Sequence, residues 1–365
     1  MDGPSFGEGR DAPAWGGASS TNSHGAMVKT QKNSPDGAVS LSAAGTPPAS
    51  YSPRAADVIV AAQALIFSIL SFSFPDSGVF SAAGLSVSRG AVMGVAILAV
   101  GAFAMLIPFV DERRAPGWLS FIRTFYPQAV TGLFFLEAIV LSSMIFDGFS
   151  WDWLFARLDA WAFGFQPSRE FSRALSSSPF VNELMFGSYF MYYVVMAVTP
   201  WIPWFMGRRK EARRMIFALV AFMAIFDLWY VFFRVQGPKY WFGDLHALWY
   251  SEFRGGVFVR FFQGLFERAT LSGAAFPSSH VAGMTLFTFM AARIDRRLAA
   301  AYGVLTALVI AATVYLYAHY AADAVAGLAI SLALSPVLLR AYDGAESLAA
   351  RLVDPDAAAA RRRVA

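Results

Sequence analysis

The sequence predicts an all-α integral membrane protein of about eight transmembrane helices, and three observations carry the prediction. The 365 residues are 57% hydrophobic and only 15% charged, against roughly 25% charged for a soluble globular chain. Apolar stretches of about 20 residues, the length that crosses ~30 Å of hydrocarbon at helical rise, recur from Ala55 onward with short polar breaks. Lys and Arg concentrate in alternate breaks, as the cytoplasmic loops of a multi-pass protein require.

Each element has its own reason. Residues 1–53 are rich in Gly, Ser, Ala and Pro and have no apolar run behind a basic start, so a disordered cytosolic tail is expected and not a cleaved signal peptide. Spans are expected near 55–74, 90–110, 124–146, 181–206, 215–233, 276–292, 298–318 and 320–340, with a tight hairpin at Ala318 and His319 joining the last two. Residues 54–123 are then two additional helices, 124–342 a membrane core and 343–365 a second cytosolic tail. The loops 111–123, 207–214 and 291–298 hold 11 Lys and Arg in 29 residues, against 8 in the 90 residues of 75–89, 147–179, 236–275 and 318–319. The first set is assigned to the cytoplasm, and both termini with it. The excess of Arg over Lys and the abundant Ala hint at a GC-rich bacterial genome, which places the protein in an inner membrane with its outer loops in the periplasm.

Two outer loops are more than connectors. Trp151, Leu154, Phe155, Leu158, Trp161, Ala162 and Phe165 recur at helical spacing, which predicts a helix lying in the interface plane over 151–165. The 236–275 loop carries Phe258, Phe261, Phe262, Leu265 and Phe266; these either cover a lipid-accessible cleft or anchor a surface helix in headgroups. Trp201, Trp204, Trp241 and Trp249 read as interface-belt residues.

With no Cys, a disulfide framework, a thiolate nucleophile, a Cys-ligated zinc and an iron–sulfur cluster are excluded, and the charge does not point to nucleic acid. Four His remain. His24 falls in the tail and His246 in an outer loop, whereas His280 and His319 lie at span boundaries that two crossings return to one membrane face. Asp323 follows His319 by four residues, a spacing that on a helix puts carboxylate and imidazole on one face, as a base and its orienter. Phe276-Pro277-Ser278-Ser279-His280 opens a span as a helix N-terminus whose free N–H groups suit an anion, phosphate above all. Arg234 and Lys239, flanking Gly237-Pro238, add two cations near that face. Ser278 and Ser279 serve equally as helix caps, and Arg234 and Lys239 equally as headgroup anchors. Asp227, Glu137 and Glu183 are acids within spans, which carry a functional reading or an interhelical hydrogen bond.

These residues resemble a known family. FPSSH at 276–280 and ATVYLYAHYAAD at 312–323 are similar to the second and third signatures of the type 2 phosphatidic acid phosphatase superfamily, and the similarity spans roughly 124–340, a six-helix core preceded by two further helices. The resemblance implies that His319 is a nucleophile forming a phosphohistidine, that Asp323 orients it, and that His280 protonates the leaving alcohol and later activates the acceptor, without metal or cofactor. Ala312-Thr313 stands where the third signature usually has Ser-Arg, and no Lys precedes an Arg-Pro by six residues near Arg234. With the tyrosine-rich YLYAHY run and Gly237-Pro238-Lys239, these departures make the chain look more like the inositol phosphorylceramide synthase branch. The expectation is a lipid phosphotransferase with a phospholipid or lipid-phosphate donor and a lipid hydroxyl as acceptor, with Lys239, Arg234, Ser278 and Ser279 as phosphate ligands. The alternatives are a lipid phosphate phosphatase using water, and a transporter or scaffold without covalent chemistry.

Overall fold

The computed structural model describes residues 51–74, 79–82, 85–110, 114–268 and 272–352, and within them the apolar stretches fold as helices. Most of the expected N-terminal tail and residues 353–365 lie outside the described residues. In chain order the elements are α1 (Ala55–Ser73), a hairpin of β1 (Val79–Ala82) and β2 (Leu85–Ser88), α2 (Arg89–Leu106) continued by a 3-10 turn (Ile107–Phe109), and α3 (Gly117–Phe146). Then come α4 (Asp152–Phe163), α5 (Pro167–Leu175), α6 (Pro179–Val198), α7 (Trp201–Phe205) and α8 (Arg209–Phe232). The chain ends with α9 (Pro238–Trp241), α10 (Gly243–Ser251), α11 (Val257–Arg268), α12 (Ser279–Ala292), α13 (Arg296–Tyr315) and α14 (Ala321–Arg351). The all-α membrane architecture expected from the sequence is thus present, with one short hairpin added, and α14 runs past residue 342 to Arg351.

Among the described residues, seven helices are long and apolar enough to cross a membrane: α1, α2 with its turn, α3, α6 with α7, α8, α13 and α14. The sixth expected span is shorter. Helix α12 has 14 residues, ~21 Å at 1.5 Å per residue, because Pro277 lacks an N–H and Ser278 caps the helix by accepting from the Val281 N–H at 3.4 Å. This short helix is the innermost one. Val281, Ala282, Met284, Leu286, Phe287 and Met290 are fully buried, and α12 packs against α6, α8, α13 and α14. Gly327 permits the approach of α14, since a Cβ there would stand 2.6 Å from the Ser278 carbonyl oxygen. Ser331 Oγ donates to the Ala282 carbonyl at 2.6 Å and the Ser278 N–H donates to the Asp323 carbonyl at 3.1 Å, which ties the two signature segments together.

Helix α1 packs on α2, α3, α8 and α14 and is pinned by side-chain hydrogen bonds. Gln63 Nε2 donates to Asp227 at 3.0 Å, Ser71 Oγ to Glu137 at 2.7 Å and Tyr126 Oη to Asp57 at 2.6 Å. The basic loops meet at one end of the bundle: Arg208 reaches the Arg293 carbonyl, Arg293 pairs with Glu211, and Lys210 and Arg214 pair with Asp343. The two imidazoles lie at the other end of α12 and α13 from these loops.

Candidate active site

His280 is the second residue of α12, and His319 sits in the turn between α13 and α14. That turn is tight. The Ala318 and His319 N–H groups both donate to the Thr313 carbonyl, at 3.2 and 3.0 Å, and Tyr317 takes a left-handed φ of 58°. The two rings meet at 5.8 Å between centroids, inclined at 61°, beside a cavity of about 90 Å³.

His319 Nδ1 lies 2.8 Å from the Ala275 carbonyl oxygen. A carbonyl only accepts, so Nδ1 carries the proton and the lone pair is left on Nε2. Burial lowers this imidazole to about 4, against a smaller upward pull from the Ala275 bond, so it is neutral near pH 7. The orienting role expected of Asp323 takes a different geometry. His319 precedes α14, so helical spacing does not apply, and Asp323 Oδ2 stays 3.6 Å from Nδ1, outside hydrogen-bond range. It accepts instead from the Tyr320 N–H at 2.9 Å, while Oδ1 is buried without a partner among the described residues. The main-chain carbonyl sets the tautomer, and the Asp323 carboxyl group is buried next to the ring.

Lys239 lines the same cavity. Its main-chain N–H donates to the Tyr317 carbonyl at 2.9 Å, and its Nζ is buried with no hydrogen-bond partner among the described residues. Aromatic faces hold the amine: Nζ is 3.4 Å from the Trp249 ring centroid, 4.2 Å from Phe266 and 5.4 Å from both Tyr240 and Tyr250. Burial pulls the amine down to about 7. Trp249 therefore departs from the interface-belt reading: it is 1% exposed, and its Nε1 donates to the Leu316 carbonyl at 3.1 Å. Phe262 is buried and Phe266 faces the amine, while Phe261 points outward, so α11 packs over the cleft against α6. Ser279 lines the cavity; Ser278 caps α12 and does not. Arg234 is also outside the lining. Its guanidinium lies against Gly273, with Nε and Nη1 buried and without partners among the described residues, and burial lowers its pKa against the pull of Asp152. Among the described residues, no group of three or more His, Asp or Glu is placed to hold a metal ion.

Sequence reasoning missed the groups that hold these loops in place. Asp152 accepts from the Gln236 N–H at 2.7 Å, the Gly237 N–H at 2.8 Å and Tyr320 Oη at 3.0 Å. Asp159 accepts from the Ala321 and Ala322 N–H groups at 2.8 and 3.0 Å, capping α14 just after His319. The helix expected over 151–165 thus turns both carboxylates onto the active loops, and burial raises both above the ordinary carboxylate range. Gly237 completes the junction, with φ at 92° and only 2.5 Å between an added Cβ and the Ala318 carbonyl oxygen. Tyr189, Tyr192 and Tyr193 surround His280, and the YFMYY run at 189–193 within a span was the available signal.

The sequence model of the PAP2 superfamily matches residues 153–337, just over half of the chain. The chain belongs to the PAP2 superfamily. The match runs from α4 into α14, so the PAP2 region contains both histidines, Asp323, Lys239 and Asp159, while α1, α2, α3 and Asp152 lie ahead of it. PAP2 membership suggests phosphatase- or phosphotransferase-type activity on a lipid phosphoester. No curated protein and no solved structure matches the chain.

Proposed function

We propose that this PAP2 superfamily protein is a membrane lipid phosphotransferase that cleaves a phosphodiester through a phosphohistidine on His319. The observation that carries the reading is the fixed tautomer: His319 donates from Nδ1 to Ala275, so Nε2 is the free nucleophile beside a cavity that also holds His280 and an unpartnered Lys239 amine. Nε2 attacks phosphorus as the P–O bond to the leaving alkoxide breaks, and His280 supplies the proton. The phosphorylated ring is cationic, and the Asp323 carboxylate 3.6 Å from Nδ1 offsets that charge. Lys239, Ser279 and the N-terminus of α12 neutralise the phosphoryl oxygens, with Arg234 and Ser278 supporting from behind the cavity wall.

Charge counting favours a diester. Among the described residues, Lys239 is the one Lys or Arg that lines the cavity, and no Asp or Glu lines it. With His280 neutral as substrate binds, one ammonium balances a phosphodiester monoanion, whereas a monoester dianion needs a second cation in a buried site. A headgroup transferred as a phosphodiester, as in the inositol phosphorylceramide synthase branch, suits that balance. The grouping of the basic loops supports placing the site on the periplasmic face of a bacterial inner membrane, with both termini cytoplasmic.

The test is turnover of headgroup-labelled phospholipids by detergent-purified protein, with and without ceramide or diacylglycerol. The expected result is label transfer that depends on the lipid acceptor and falls by on the order of 10⁴-fold or more in His319→Ala. Acceptor-independent release of phosphate reassigns the protein as a phosphatase. Equal turnover by wild type and His319→Ala overturns the phosphohistidine.

A further inference from the structure

The three tyrosines around His280 meet it in two ways. Tyr189 and Tyr192 lie on the ring, at centroid separations of 4.2 and 4.5 Å and interplanar angles of 22° and 44°. Tyr193 meets the ring edge-on, at 83°, with its Oη 3.1 Å from Nε2. Tyr189 and Tyr193 both line the cavity, and exposure separates the three: Tyr189 is 6% exposed and Tyr192 4%, but Tyr193 is 40% exposed. The other nitrogen of His280, Nδ1, is buried with no partner among the described residues. The hydrogen-bonded nitrogen of the expected acid therefore meets the accessible side of the site through a phenol.

We propose that Tyr193 is a proton-relay residue between His280 and the oxygen that leaves or joins phosphorus; this rests on the phosphohistidine reading above. In the first half-reaction His319 Nε2 forms the N–P bond and the P–O bond to the lipid breaks. The departing alkoxide takes the Tyr193 hydroxyl proton as Tyr193 Oη takes a proton from the His280 imidazolium. His280 is left neutral and Tyr193 is again a phenol. In the second half the acceptor hydroxyl gives its proton to Tyr193 Oη, Tyr193 passes its own to His280 Nε2, and the acceptor oxygen forms the new P–O bond as the N–P bond breaks. No proton is gained or lost over the cycle, and the anionic phosphodiester, once bound beside the rings, favours the protonated form of His280 before the first half-reaction.

A relay is needed only when the leaving oxygen needs a proton, and this sets the experiment. Single-turnover phosphoryl transfer to the enzyme is measured for wild type and Tyr193→Phe with two phosphodiesters, one leaving as an alkoxide and one as p-nitrophenolate, which departs without protonation. The expected result is a loss of about 10²- to 10⁴-fold on the alkoxide donor and a change under about 3-fold on the aryl donor, which also reports that the variant is folded. His280→Ala is expected to show the same contrast, and the double variant to be no slower than His280→Ala alone. Equal losses on both donors make Tyr193 a packing residue and overturn the relay, as does an alkoxide rate that Tyr193→Phe leaves unchanged. A wild type silent on both donors is a different failure: it removes the phosphohistidine reading, and the relay falls with it.

Discussion

Two sets of buried carboxylates in this protein are bonded in different ways. At the site end, Asp152, Asp159 and Asp323 accept from main-chain N–H groups, those of Gln236 and Gly237, Ala321 and Ala322, and Tyr320. Within the bundle, Glu137 and Asp227 accept from side chains of α1, and Asp57 of α1 accepts from Tyr126 of α3, besides the Arg54 N–H ahead of its own helix. The difference lies in what each bond can fix. The middle of a helix already satisfies its own N–H groups, so Glu137 and Asp227 find side-chain donors there, and their bonds pin helix to helix. The loops that carry Lys239 and His319 have no such ladder, and a carboxylate accepting two amides sets backbone position directly, with charge-assisted bonds stronger than neutral ones. The first set therefore decides geometry at the ångström scale, and the second decides where α1 sits.

The largest expected effect breaks the first set. In Asp152→Ala the Gln236 and Gly237 N–H groups and the Tyr320 hydroxyl lose their buried acceptor together. An unsatisfied buried group costs about 1–3 kcal/mol, so a total on the order of 3 kcal/mol or more is expected. Much of it falls on the loop bearing Lys239, and kcat/KM for labelled phospholipid should drop by about 100-fold or more. A variant within a factor of about 3 of wild type would show that these loops hold their geometry without Asp152.

That brace also marks how far the sequence could be read. The spans, His280, His319 and the Ser-capped start of α12 were legible because each is a local pattern of residue type and spacing. Asp152 and Asp159 were not: they reach partners 84 to 168 residues away, and a main-chain N–H has no residue identity to recognise. The same holds for the Ala275 carbonyl, which supplies the tautomer control that the spacing of His319 and Asp323 had suggested for the carboxylate. Trp249 was misread because a tryptophan near a membrane interface and one beneath a buried amine differ only in burial. Helix α12 came out shorter than its apolar run because Pro277 and Ser278 fix its start.

An intermediate effect sharpens the comparison by titrating the site the braces hold. In the free enzyme His319 must be neutral to attack, and burial lowers it to about 4, so activity is lost as pH falls through that value. Lys239 must be charged to meet the phosphate, and burial lowers it to about 7, so that contribution is lost as pH rises through that value. These two groups give kcat/KM an acid limb near 4 and an alkaline limb near 7, each falling up to tenfold per pH unit, and the proton that His280 must carry adds to the fall on the alkaline side. Lys239→Arg, whose guanidinium stays charged, should move the alkaline limb upward and leave the acid limb in place. An alkaline limb that does not move would assign it to another group.

The smallest effect is expected in the second set, from Asp227→Asn. Asp227 is fully buried in α8, and one of its oxygens accepts from Gln63 while the other has no partner. An asparagine keeps the shape and the acceptor for Gln63, so the hydrogen bond to α1 survives and the site end is untouched. Phosphoryl transfer should change by less than about 3-fold and thermal stability in detergent by less than about 1 kcal/mol. A proton path through the bundle predicts the opposite, because an amide cannot release a proton and any coupled transport would stop. Loss of activity in Asp227→Asn with the fold intact would move this acid into the working set and erase the division between acids that position the site and acids that seat α1.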